Sequence, residues 1–141
     1  MPDPNIQEMA TRLHAASIKL LRLLRRQDDA SGLSAPRLSA LSVLVFGGPL
    51  SLAELAAAEQ VRAPTMSRLV EGLVRDGLVS REPVPGNRRM VRISATEAGR
   101  ELLEAGRARR VRALVARLET IAASERRALA RGVEIMERVV R

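Results

Sequence analysis

The sequence predicts a mainly α-helical protein carrying one small β-hairpin, and three observations lead there. Aromatic residues make up 1% of a chain that is 46% hydrophobic, a single Phe with no Trp or Tyr, so the core is built from Leu, Val and Ala. That composition favours helices. Apolar residues recur at spacings of three and four along most of the chain, the signature of an amphipathic helix. Only after Gly77 does the period fall to two, on either side of Pro85-Gly86-Asn87, which reads as two short strands joined by a turn.

Taken in order, residues 5–28 form a long helix with an apolar stripe through Ile6, Met9, Leu13, Leu20 and Leu24, widened by Leu21 and Leu23. It stops near Asp28–Gly32. Ser34 caps a second helix with Pro36 in its first turn, which runs through Leu38, Leu41, Leu44 and Val45 to Gly47-Gly48-Pro49. Ser51 and Glu54 have the spacing of a capping box, in which hydroxyl and carboxylate satisfy each other's orphan amides, and open a short third helix. A tight turn at Gln60–Arg62 leads to a fourth, from about Ala63 to Asp76, with Pro64 early and Gly77 just past its end. LVSREPV and MVRIS are the strands of the hairpin. Thr96 caps a fifth helix reaching about Ala122, and Ser124-Glu125 opens a sixth that continues to the C-terminus. Met9, Met66, Met136 and the lone Phe46 read as core residues.

The formal net charge is +8, and it is unevenly placed. Residues 1–61 carry equal numbers of basic and acidic side chains, whereas residues 62–141 hold 18 basic against 10 acidic. Such asymmetry points to a polyanion partner, most often nucleic acid; the competing explanation is a coding bias, since 23 of the 24 basic residues are arginine. The absence of Cys excludes disulfides, thiolate catalysis and Cys-ligated zinc. The single His14 is too little for a transition-metal site. Acidic residues are scattered and no Gly-rich phosphate loop occurs, so no enzyme class and no cofactor is indicated. No apolar run approaches the 18 or so residues of a membrane span, the N-terminus does not read as a signal peptide, and a surface-lying membrane helix would lack aromatic anchors. The expectation is a cytoplasmic protein with no membrane partner.

Two helices joined by a tight turn, the second opening at a Pro and followed by a hairpin, describe a winged helix-turn-helix. The second helix of such a pair presents its N-terminal turns to the major groove of double-stranded DNA. Here those turns carry Arg62, Ala63, Pro64, Thr65, Ser67 and Arg68, while Met66, Leu69, Val70 and Leu73 mark the buried side. Arg62 and Arg68 suit phosphate or a guanine edge, Thr65 and Ser67 phosphate or a thymine methyl. Arg88 and Arg89 at the hairpin tip would lie along the minor groove or its flanking phosphates. Solvated loop charge is the bland alternative for these two, and a solvated face or ion pairing with Glu101, Glu104 or a partner chain is the reading for Arg107–Arg112.

The run LAELAAAEQVRAPTMSRLVEGLVRDGLVSREPVPGNRRMVRISATEAG, about residues 51–99, resembles the signature of MarR-family transcriptional regulators, and the flanking helices match that family's order. The resemblance implies that Arg89 is the wing arginine and Thr96 the cap of the next helix. It places Arg62, Pro64, Thr65, Ser67 and Arg68 on groove-reading turns, and Ser34, Arg37 and Ser51 at helix starts where that family often touches phosphate. Two departures stand out. Asn87 replaces the usual wing Asp, leaving a neutral hydrogen bond to fix the arginine, and Arg62 stands where a Ser-like cap is common.

Three units follow: an N-terminal dimerisation helix, 1–33; a winged helix-turn-helix lobe, 34–95; and C-terminal dimerisation helices, 96–141. Ile121, Leu129, Val133, Met136, Val139 and Val140 carry apolar character to the last residues, where a chain frays unless something docks. A two-fold homodimer of the terminal helices would cover them and set two reading heads about one DNA turn apart, on a palindromic operator. The resemblance further implies a pocket for a small amphipathic or phenolic ligand between the dimer helices and the lobes, with His14 as a candidate lining residue, and a repressor released by that ligand. The alternative is a non-specific nucleoid-associated or RNA-binding basic protein.

Overall fold

The computed structural model describes residues 4–141, so Met1–Asp3 of the predicted N-terminal unit lie outside the described residues. The chain begins with α1 (Pro4–Asp28), followed by a single 3-10 turn (Asp29–Ser31). Next come α2 (Ala35–Gly47), a two-residue strand β1 (Leu50–Ser51), α3 (Leu52–Ala58) and α4 (Ala63–Arg75). The hairpin is β2 (Val79–Val84) and β3 (Asn87–Ala95), and α5 (Glu97–Leu118) and α6 (Ala123–Val139) complete the chain. The predicted order of helices and hairpin is the observed one. β1 is new: it pairs antiparallel with β3, Leu50 opposite Ile93 and Ser51 opposite Arg92, making a three-stranded sheet of order β1-β3-β2. Two residues before a helix cap are too few to show a period, which is why the pattern missed it.

The helix ends follow local chemistry. Beyond α4 the Leu78 amide donates to Leu73 O (2.9 Å) and the Gly77 amide to Val74 O (3.0 Å), the two bonds of a Schellman cap. Gly77 takes the left-handed φ of +73° that this geometry demands. α5 ends at Leu118, short of the expected Ala122, because Thr120 Oγ1 donates to Arg117 O (2.6 Å) and Arg126 Nη1 to Ile121 O (2.8 Å), satisfying the terminal carbonyls before α6 starts. Glu125 accepts from the Ala122 amide (3.0 Å) to open α6.

The core lies wholly within the central lobe. Ala40, Leu41 and Leu44 of α2 meet Leu55 and Ala56 of α3, Met66, Val70 and Leu73 of α4, Leu78 just before β2, and Val79, Ile93 and Ala95 of the sheet. Two expectations about it need correction. Phe46 is 80% exposed at the end of α2 rather than buried. Of the three methionines only Met66 is core; Met9 and Met136 lie on surface stripes of the terminal helices. A helical period locates an apolar face but not what covers it, and among the described residues no hydrophobic side chain of α1, α5 or α6 is fully buried.

α5 is tied to the lobe at its first turn. Thr96 Oγ1 accepts from the Gly99 amide (3.2 Å), as its capping role requires, and donates to Gly77 O (2.6 Å). Gly99 packs so closely on the Leu78 carbonyl that no Cβ would fit. Further along, α5 meets the end of α1. Arg110 Nη1 pairs with Asp28 Oδ1 (2.6 Å), and Arg109 Nε donates to Gln27 O (3.4 Å). The basic run of α5 is thus partly a structural clamp; Arg107 makes the expected surface pair, with Glu104.

Candidate nucleic-acid interface

Two helices and a hairpin build the exposed basic face. α3 is held by the capping box: Ser51 Oγ accepts from the Glu54 amide (3.1 Å) and Glu54 Oε1 from the Ser51 amide (3.4 Å). Ser51 keeps its hydroxyl proton to donate. The turn to α4 is made by Gln60 at φ 56°, with the Val61 amide on Ala56 O and the Gln60 amide on Ala57 O, the same pair of bonds that closes α4. This compact turn sets the start of α4 beside α3 and turns one side of it outward. Met66, Val70 and Leu73 face the core, while Arg62, Ala63, Pro64, Thr65 and Arg68 are exposed and Ser67 is half-buried.

The helix start is unusual in what it leaves free. Arg62 is the N-cap residue, with extended backbone and no side-chain capping bond, so its guanidinium is not spent on its own helix. None of the side chains of Arg62, Thr65, Ser67 or Arg68 has a hydrogen bond or ion pair among the described residues. Four polar groups, two of them cationic, are therefore held on one end of a helix without a side-chain partner among the described residues. An unpaired polar cluster on a rigid element suits recognition of a polar surface, and its sign suits an anion.

The wing tip has the same character. Pro85 and Gly86, the latter at φ +83°, close the loop between Val84 and Asn87. The ladder then slips: Val84 pairs with Asn87 but Pro83 with Val91, so Arg88, Arg89 and Met90 have no partner residue on β2. Both arginines thus project from a bulge, where a strand departs from flat pairing and re-aims its side chains. Asn87 Oδ1 accepts from the backbone amide of Arg89 (3.2 Å) and does not touch its guanidinium. Asn at this position shapes the turn and leaves the arginine head free.

Other candidate residues fall elsewhere. Ser34 is the exposed N-cap of α2, with no side-chain capping bond. Arg37 is half-buried, pairs with Asp76 (3.6 Å) and lies over Gly72, at the opposite end of α4 from Arg62. His14 is exposed on α1 and lines no part of the cavity where lobe and terminal helices meet. That cavity, about 590 Å³, is bounded by Arg25 and Asp28 of α1, Leu38 and Ser42 of α2, and Leu103 and Arg110 of α5. Among the described residues no group of three His, Asp or Glu side chains gathers in a way that could hold a metal ion, and no single helix is long and apolar enough to cross a membrane.

A helix-turn-helix with a hairpin beside its second helix, and unpaired cations on both, defines a winged helix-turn-helix DNA-binding protein. Comparison with known proteins narrows the class. The MarR family model matches residues 31–90. The chain is 38% identical over 128 residues to an uncharacterized HTH-type transcriptional regulator of Mycobacterium bovis, covering 91% of this chain and 90% of that one. The multiple antibiotic-resistance repressor MarR of Listeria monocytogenes has the same fold, with a TM-score of 0.82 at 19% identity over 96% of this chain and 94% of that one. So does a mutant of Staphylococcus aureus MepR bound to an oligodeoxyribonucleotide, at TM-score 0.75 and 18% identity over 94% and 98%. The protein belongs to the MarR family of helix-turn-helix transcriptional regulators, and is a DNA-binding regulator rather than an enzyme.

Proposed function

We propose that the protein is a sequence-specific repressor that binds a palindromic duplex as a homodimer and is released by a small amphipathic or phenolic ligand. One observation carries the DNA reading: Arg62, Thr65, Ser67 and Arg68 at the start of α4, and Arg88 and Arg89 at the wing tip, are unpaired groups on two elements of one lobe. The first turns of α4 enter the major groove, and the wing arginines lie at the minor groove or its flanking phosphates. Ser34 and Ser51 stand at helix starts with hydroxyl protons to donate to phosphate. Arg37 serves the interface indirectly, by bracing the far end of α4 through Asp76.

Dimerisation rests on the terminal helices. Ile6, Met9, Leu13 and Leu21 of α1, and Val133, Met136 and Val139 of α6, are 40% to 73% exposed. Stripes of this extent, on helices with no fully buried apolar side chain among the described residues, suit a partner of the same kind. The ligand would enter the 590 Å³ cavity between α1, α2 and α5, within the usual size of a small-molecule site. Binding there would shift the orientation of the lobes in proportion to its preference for one arrangement. The repressor named among the structural neighbours, and the neighbour bound to an oligodeoxyribonucleotide, support this reading.

The test is an anisotropy titration of the duplex upstream of the gene against a scrambled duplex, across a salt series. A preference on the order of 10³ at physiological salt establishes site-specific regulation. Equal, steeply salt-dependent binding to both would instead mark a general nucleic-acid coat.

A further inference from the structure

The wing holds a cation that neither the hairpin tip nor α4 accounts for. Paired residues of an antiparallel sheet point to the same face, and three β2–β3 pairs share one: Val79 with Ala95, Arg81 with Ile93, Pro83 with Val91. That face packs on the lobe. Val79, Ala95 and Ile93 are 2%, 7% and 3% exposed, yet Arg81, directly opposite Ile93, is exposed. A long basic side chain can meet both conditions by laying its stem along apolar surface with its charged head in water.

Arg81 lines a cleft of about 220 Å³ together with Leu52, Ser67, Val91 and Ile93. The cleft therefore joins three elements: α3 through Leu52, α4 through Ser67 and the wing through the rest. Neither Arg81 nor Ser67 has a side-chain hydrogen bond or ion pair among the described residues. Glu82, the nearest acid in sequence, points to the other face, opposite Arg92, and its carboxylate lies 3.5 Å from the Ser80 hydroxyl. An arginine and a serine thus line one hollow whose other lining residues are apolar, with no acid among them.

We propose that this cleft is a phosphate site, in which Arg81 and Ser67 hold the DNA backbone between the groove read by α4 and the groove reached by the wing tip. The inference rests on the DNA-binding reading above and adds a contact between its two halves. A forked guanidinium and a hydroxyl donor are the groups that grip phosphate oxygens. Ser67 is thereby a backbone contact rather than a base reader. Because the site neutralises phosphate and reads no base edge, it sets register and affinity without sequence preference.

The test uses a short duplex selected by the wild-type protein from a random pool, with its scrambled counterpart. Affinity is measured across a salt series for wild type, Arg81→Met, Arg81→Lys and Arg100→Met, alongside thermal unfolding. Arg81→Met keeps a stem over Ile93 and removes the charge; Arg100→Met removes the same charge from an exposed position on α5. The expected result is that Arg81→Met weakens both duplexes by roughly tenfold per protomer. Its salt slope becomes shallower by about 0.9 per protomer, while Arg81→Lys keeps the slope and Arg100→Met behaves as wild type. Wild-type affinity and slope in Arg81→Met would overturn the proposal. So would a lowered melting midpoint shared by Arg81→Met and Arg81→Lys, which would make Arg81 a purely structural residue. A loss confined to the selected duplex would also overturn it, by making Arg81 a base reader. If the wild type binds selected and scrambled duplex equally, sequence-specific regulation fails and the Arg81 slope change is still read. If the wild type retains no duplex from the pool, both inferences fall.

Discussion

Two helical glycines, Gly99 of α5 and Gly72 of α4, look alike in sequence and differ in what they touch. A Cβ at Gly99 would meet the backbone carbonyl of Leu78, which cannot move without breaking the joint between α4 and β2. Gly99→Ala is expected to cost about 2 kcal/mol despite the better helix propensity of Ala, seen as a lowered thermal midpoint. A Cβ at Gly72 would have the Arg37 guanidinium, the far end of a flexible side chain, as its nearest neighbour. Gly72→Ala is therefore expected to stay within about 1 kcal/mol of wild type while displacing Arg37 from Asp76, a difference visible in a crystal structure of the variant. Thr96→Val removes both the bond to Gly77 O and the cap on α5, and should lower stability by about 1 to 2 kcal/mol in the same melt. The cap was legible from Thr96 alone. The Gly77 bond was not, because it spans 19 residues and depends on where the hairpin returns.

At the level of elements, the sequence revealed each segment that carries its own punctuation. The capping box at Ser51, the Pro64 start and Gly77 stop of α4, and the Pro85-Gly86 turn all lie where local chemistry put them. What stayed hidden were contacts between segments: the β1 pairing, the bulge at the wing tip, and the clamp of α5 on α1. Arg107–Arg112 read as surface charge because helical spacing says nothing about a helix 82 residues away, yet Arg110 reaches Asp28 across that separation. Two element-scale outcomes follow. Arg110→Ala should loosen the end of α1, with faster amide exchange over residues 24–32 and little change in the core of the lobe. Arg88→Ala/Arg89→Ala should weaken operator binding and flatten its salt slope by about 1 for each phosphate no longer neutralised. The melt should stay unchanged, since neither side chain has a hydrogen bond or ion pair among the described residues.

Across the whole molecule, burial is concentrated between Ala40 and Ala95, and the terminal helices show apolar stripes that a single chain does not cover. In the proposed dimer, Val133→Glu/Met136→Glu should convert the protein to a monomer in light scattering and reduce operator affinity, because a single lobe then binds one half-site. The sequence made these stripes visible but assigned Met9 and Met136 to a core, since periodicity cannot distinguish a face buried within one chain from a face buried between two. The placement of the core has a further consequence. If the arms pair as proposed, a lobe folded on its own core makes the number of molecules in a cell part of the control, because pairing follows mass action. Growth that outpaces synthesis would thin the pool of paired heads before any single lobe unfolds. Gene dosage and dilution at division would then set how strongly the operator is held, even with nothing in the cavity proposed for a ligand.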